Sequence, residues 1–105
     1  MRFVQVQLLY FAGCPHVDLA RRQLRLALDG IEHAPEVTEI DVTSAGTPEH
    51  LRSWGSPTIL VDGVDVAGGV PSGTSCRLYP GSPDPGAPPL AVIRAALGRA
   101  RQVPR

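Results

Sequence analysis

The apolar run at residues 3–11 ends, with almost no linker, in Gly13-Cys14-Pro15 and then a helical pattern. This junction constrains the fold more than any other feature. The run alternates through Gln5 and Gln7 and then becomes continuously apolar, as a central strand buried on both faces would. Over residues 16–29, Val17, Ala20, Leu24, Ala27 and Leu28 make one stripe that continues to Ile31, and Gly30 supplies a C-terminal stop. Leu19 and Leu26 fall on the opposite face. A strand feeding a helix commits the next strand to a right-handed crossover and parallel pairing.

That next strand is expected at residues 36–42, which alternate. Thr47-Pro48-Glu49 reads as the start of a short helix with a hydroxyl N-cap, ending near Gly55. Residues 58–62 and 64–67 flank Asp62-Gly63, the strongest hairpin signal in the chain. Residues 68–89 are rich in glycine, proline and serine and read as an irregular loop interrupted by Cys76-Arg77-Leu78-Tyr79. Long loops inside compact domains are often functional. Residues 90–101 close the chain as a helix with Leu90, Ile93, Ala96, Leu97 and Ala100 inward. The expected order is β-α-β-α-β-β-α, a single α/β domain over residues 1–105 with a mixed four-stranded sheet.

Composition excludes several classes of function. Ten basic residues balance ten acidic ones, so nothing electrostatic draws the chain to nucleic acid or an anionic membrane. There is no lysine, which removes Schiff-base chemistry and a P-loop. No stretch approaches a membrane span, and the N-terminal run lacks the cleavage site of a signal peptide. A soluble, cytoplasmic protein with reduced thiols is the expectation. Two cysteines are too few for a disulfide scaffold or a four-cysteine metal site. No cofactor and no metal is implied by spacing.

Cys14 is the leading candidate for chemistry. Pro15 suits the first helical turn, where no backbone N–H is needed, which makes Cys14 the expected N-cap. There its sulfur would face unpaired N–H groups and the positive end of the helix dipole, which favours the reactive thiolate. The alternative is a buried cysteine acting as a small hydrophobe. His16 would either support that thiolate or lie exposed in the first turn. Asp18 would serve as a proton donor beside Cys14, or simply complement the helix dipole. His33 and His50 read as surface residues.

The element order, with a cysteine after the first strand, resembles the thioredoxin fold. Trp54-Gly55-Ser56-Pro57-Thr58 is similar to the thioredoxin segment in which Gly-x-Pro-Thr runs into the third strand. The resemblance implies a cis Pro57 beside the active cysteine. It also implies a Ser56 backbone that offers hydrogen bonds to a substrate strand, with Trp54 lining the groove or packing in the core. Cys14-Pro15-His16 also resembles the start of the Cys-Pro-His-Cys motif of Dsb-type thiol oxidases, whose histidine stabilises the thiolate. Val17 stands where their second cysteine would be, so dithiol chemistry within the motif is ruled out.

Gly13-Cys14-Pro15 with the later Ser75-Cys76-Arg77-Leu78-Tyr79 is similar to small thioredoxin-like proteins, some labelled organomercurial lyases. In that lyase two cysteines at a comparable separation cleave carbon–mercury bonds with an aspartate three residues after the first; Asp18 here is four residues on. The resemblance implies thiol–disulfide exchange through Cys14 with Cys76 as a distant resolving cysteine, and partners that are protein or small-molecule thiols and disulfides. A different class is a thiophilic metal such as mercury held by Cys14 and Cys76. A third is an interaction module that kept the fold without the redox pair. Gly68-Gly69 stands where glutaredoxins bind the glutathione carboxylate, but Val70-Pro71 follows in place of their polar residues.

Overall fold

The computed structural model describes residues 4–71, 73 and 75–102. Phe3, the expected first residue of the opening strand, lies outside them. The elements are β1 (Val6–Tyr10), α1 (Val17–Leu28), β2 (Val37–Asp41), a 3-10 turn (Glu49–Leu51), β3 (Thr58–Val61), β4 (Val64–Asp65) and α2 (Leu90–Gln102). They form an α/β structure around one mixed four-stranded sheet of order β2-β1-β3-β4. As the crossover requires, β1 and β2 are parallel, with Val6 opposite Val37 and Tyr10 opposite Asp41. β3 runs antiparallel to β1, with Leu9 opposite Thr58.

Alternation sorts the strands into two cores. Val6, Leu8, Ile59 and Val61 face Ala20, Leu24 and Ala27 of α1 and Ile93, Ala96 and Leu97 of α2. The other face carries Leu9 and Leu60, covered by Val42, Leu51 and Trp54. Both helices thus lie on one side of the sheet, and the far side is sealed by the connection from β2 to β3. Leu8 and Leu9 are both fully buried, on opposite faces, as the continuous apolar run predicts. Leu19 packs against the helical core, whereas Leu26 is exposed. At the sheet edge, Arg21 of α1 forks onto Glu39 of β2 at 2.8–3.0 Å and also binds Asp18. These carboxylates hold the Arg21 guanidinium firmly protonated, Glu39 foremost.

The turn between β3 and β4 is the hairpin signalled by Asp62-Gly63. Both residues have positive φ, 51° and 80°, as a two-residue type I′ turn demands. Asp62 also bonds back to β1: its carboxylate accepts the Gln5 N–H, and its own N–H donates to the Gln5 carbonyl. α1 ends as expected, with Gly30 at φ 80° just past its C-cap.

Two helix starts differ from expectation. α1 begins at Val17 with His16 as N-cap, so Cys14 is not the capping residue. The reason is local: Gly13 adopts φ 86° and the Cys14 N–H closes a turn on the Phe11 carbonyl at 3.2 Å, which consumes the residues before the helix. The expected second helix is only the 3-10 turn, capped by Pro48. The Thr47 hydroxyl bonds the Asp41 carbonyl instead of the turn's N–H groups. Arg52 holds the same loop by donating to the carbonyls of Ser44, Ala45 and Thr47. The strands are also shorter than the alternating segments, because pairing stops at Asp41, Val61 and Asp65. No helix of the described residues is long and apolar enough to cross a membrane.

Candidate thiol site at the strand ends

The antiparallel register of β1 and β3 brings two sequence motifs to one end of the sheet. β1 leads outward to Cys14, and β3 begins at Thr58, opposite Leu9. Residues 11–14 and 54–57 therefore emerge at the same edge. The Ser56-Pro57 bond is cis. Cys14 is buried, 6% exposed, while Cys76 is exposed; neither forms a disulfide.

The loop that reads as irregular in sequence returns across this edge. Residues 75–77 form a parallel bridge with Ser56, directly opposite Cys76. The Ser56 N–H donates to the Ser75 carbonyl at 2.9 Å, and the Arg77 N–H donates to the Ser56 carbonyl at 2.7 Å. The Ser56 backbone that was expected to meet a substrate is thus occupied by the chain's own strap. Further along, the Tyr79 hydroxyl donates to the Pro57 carbonyl, and Gly86 packs so close to the His16 ring that a Cβ would have no room there. His16 is half-buried under that segment. The Ser56 Oγ is buried with no hydrogen-bond partner among the described residues.

Arg77 organises the strap. Its guanidinium pairs with Asp65 of β4, donates to Thr58 Oγ1 at 3.1 Å, and stacks over Tyr79 and Trp54 with centroids 4.7 and 6.0 Å away. The Asp65 side chain has no solvent exposure. Its carboxylate also accepts the N–H groups of Gly69 at 2.8 Å and Ala67 at 3.3 Å, so local backbone orients it together with the arginine. A carboxylate so buried requires such partners. Burial pushes the Tyr79 phenol up to about 12; the nearby Arg77 charge opposes this, while Asp65 and an ionised Cys14 reinforce it. Gly55 and Gly69 make room: a Cβ on Gly55 would lie 2.9 Å from the Ser75 carbonyl oxygen, and one on Gly69 2.6 Å from Arg77 Nη2. Behind the strap, a cleft of about 600 Å³ separates Leu78 and Pro80 from Val92, Ala95 and Arg99.

Of the residues singled out in sequence, Cys14, Ser56, Pro57 and Trp54 are buried at or beside this edge, and Cys76 lies on the strap above Ser56. The Asp18 side chain is 88% exposed and bonded to Arg21. Gly68 and Gly69 do not present open amides: both donate to Asp65, to its carbonyl and its carboxylate. Among the described residues no three His, Cys, Asp or Glu side chains converge as a metal site would require.

Sequence reading missed Asp65, Thr58, Arg77 and Tyr79 as members of the site. The available signals were an aspartate at an inward position of Val64-Asp65-Val66, and Arg77 as the only basic residue between positions 68 and 89. Compared with known proteins, the chain matches no family model, no curated protein and no solved structure.

Proposed function

We propose that this chain is a thioredoxin-like thiol protein that exchanges disulfides through Cys14, with Cys76 as resolving thiol. The observation that carries this reading is the placement of Cys14, which follows the central strand, at the same end of the sheet as Ser56-Pro57, which precedes β3. The strand order β2-β1-β3-β4 and both helices on the β1 face that carries Leu8 are compatible with that architecture.

In the reaction, the Cys14 thiolate attacks one sulfur of a substrate disulfide. The S–S bond breaks, a mixed disulfide forms on Cys14, and the departing thiolate takes up a proton. The Cys76 thiolate then attacks the Cys14 sulfur, releases the second substrate thiol and leaves a Cys14–Cys76 disulfide. Two electrons pass to the substrate, and a small-molecule or protein dithiol resets the pair. At 6% exposure, Cys14 must become more open for a bulky disulfide to reach its sulfur.

The test is mixed-disulfide formation with glutathione disulfide, read by mass spectrometry on the wild type, C14S and C76S. The expected result is a Cys14–Cys76 disulfide in the wild type, a trapped adduct on Cys14 in C76S, and no turnover in C14S. An unmodified Cys14 after prolonged incubation overturns the reading. The same two uncrosslinked thiols would suit a soft cation such as Hg²⁺. Loss of both thiols to one equivalent of Hg²⁺, with no disulfide exchange, would favour that second class of function.

A further inference from the structure

From the way the strap is held, we infer that residues 75–77 occupy, from within the chain, a seat for an extended, arginine-bearing peptide. Naming that peptide as the substrate rests on the thiol-exchange reading; the existence of the seat does not.

The hydrogen bonds are those of strand addition at a single register position. Ser56 gives its N–H to residue 75 and takes the N–H of residue 77, skipping residue 76. Such main-chain pairing accepts any extended segment, and selectivity comes from pockets for alternate side chains. Here residue 76, between its two pinned neighbours, is exposed. The next side chain enters a preformed slot. Three of its walls belong to the scaffold: the Asp65 carboxylate, the Thr58 hydroxyl and the Trp54 ring. The slot matches guanidinium chemistry, with a carboxylate, a neutral acceptor and an aromatic face. A lysine ammonium could not satisfy all three from one position. Gly55 and Gly69 keep the backbone groove open at the two points where a side chain would block it.

Outside this seat the strap is held at discrete points, by the Gly73 N–H on the Ser53 carbonyl before it and the Tyr79 hydroxyl on the Pro57 carbonyl after it. Residues 67–71 before it are exposed, Gly73 and Gly81 take positive φ values of 114° and 86°, and the cleft behind Leu78 and Pro80 separates that stretch from α2. An internal segment held at Gly73, at its bridge and at Tyr79, with exposed chain between, can be displaced by a free peptide of the same chemistry.

The experiment uses a blocked peptide, Gly-Ser-Ser-Arg-Leu, with serine in place of cysteine so that no disulfide can form, and the full-length R77A variant, whose slot is empty. By fluorescence anisotropy, R77A should bind this peptide at least about tenfold more tightly than wild type does, and glutamine in place of the peptide arginine should cost about tenfold. The second measurement needs no variant. In the wild-type chain, excess peptide should speed hydrogen exchange of the displaced Arg77 amide while the Ser56 amide stays protected, because a peptide carbonyl takes the place of the Ser75 carbonyl as its acceptor. Equal binding of the arginine and glutamine peptides, or unchanged exchange at both amides, overturns the proposal. The two readings fail separately: peptide binding with an inert Cys14 leaves the seat standing and removes the redox function, and disulfide exchange without arginine preference does the reverse.

Discussion

The guanidinium of Arg77 closes on the carboxylate of Asp65, whose side chain is wholly shielded from solvent, across a sequence separation that joins the strap to β4. Removing one partner of such a pair strands a buried charge. R77A should therefore lower stability by about 3 kcal/mol in urea unfolding. R77A combined with D65N should cost clearly less than the sum of the single changes, since the buried charge is gone as well. Additive losses would show that the two side chains act independently.

Tyr79 makes the strap sensitive to alkali. Its phenol is pushed up to about 12 by burial, above the value of about 10 for an unfolded tyrosine. The neutral form is thus favoured in the folded state. The stability this supplies is complete below about pH 10 and is lost as the pH rises through about 12. With no lysine in the chain, tyrosines dominate the charge change in that range. A Y10F background isolates the phenol of interest. Its urea midpoint should fall between about pH 10 and about pH 11 more steeply than that of the Y10F/Y79F double variant. At neutral pH, Y79F should cost about 1 kcal/mol, for the lost bond to the Pro57 carbonyl.

Two glycine-to-alanine changes should move stability in opposite directions. Gly98 lies within α2 with open space where a Cβ would stand, so G98A should stabilise by about 0.5–1 kcal/mol. At Gly55 the new methyl would meet the Ser75 carbonyl oxygen, and G55A should destabilise by about 1–3 kcal/mol. Thermal denaturation of both variants checks the pair.

The Ser56 hydroxyl is buried without a partner among the described residues. S56A should therefore be neutral or slightly stabilising in urea unfolding, in contrast to most core polar-to-apolar changes. A loss above about 1 kcal/mol would reveal a partner such as an ordered water.

The local elements of the fold were legible because each carries its own signal. The periodicity of residues 17–28 and the Asp62-Gly63 turn needed no tertiary partner to be read, and the apolar run of β1 announced burial on both faces. The helix starts were less legible. Pro15 argued for a cap at Cys14, but the positive φ of Gly13 and the turn back to Phe11 moved the cap to His16. The site was legible at Cys14, Ser56, Pro57 and Trp54, and at Cys76, although not in the pairing with Ser56 that places it. Its other half depends on where residues 75–79 cross the sheet edge. The pairing of Ser56 with Cys76, and of Arg77 with Asp65, joins segments whose intervening loop has no periodicity to betray its path.

Trp54 belongs to two structures at once. It fills the small core beneath the sheet with Leu9, Val42, Leu51 and Leu60, and its ring also backs the arginine slot above. With so few side chains sharing that layer, a volume change at Val42 or Leu51 tilts the indole and reshapes the slot without touching either thiol. Divergence in ligand preference among descendants of this chain would then collect on the underside of the sheet, far from the sulfur chemistry it adjusts.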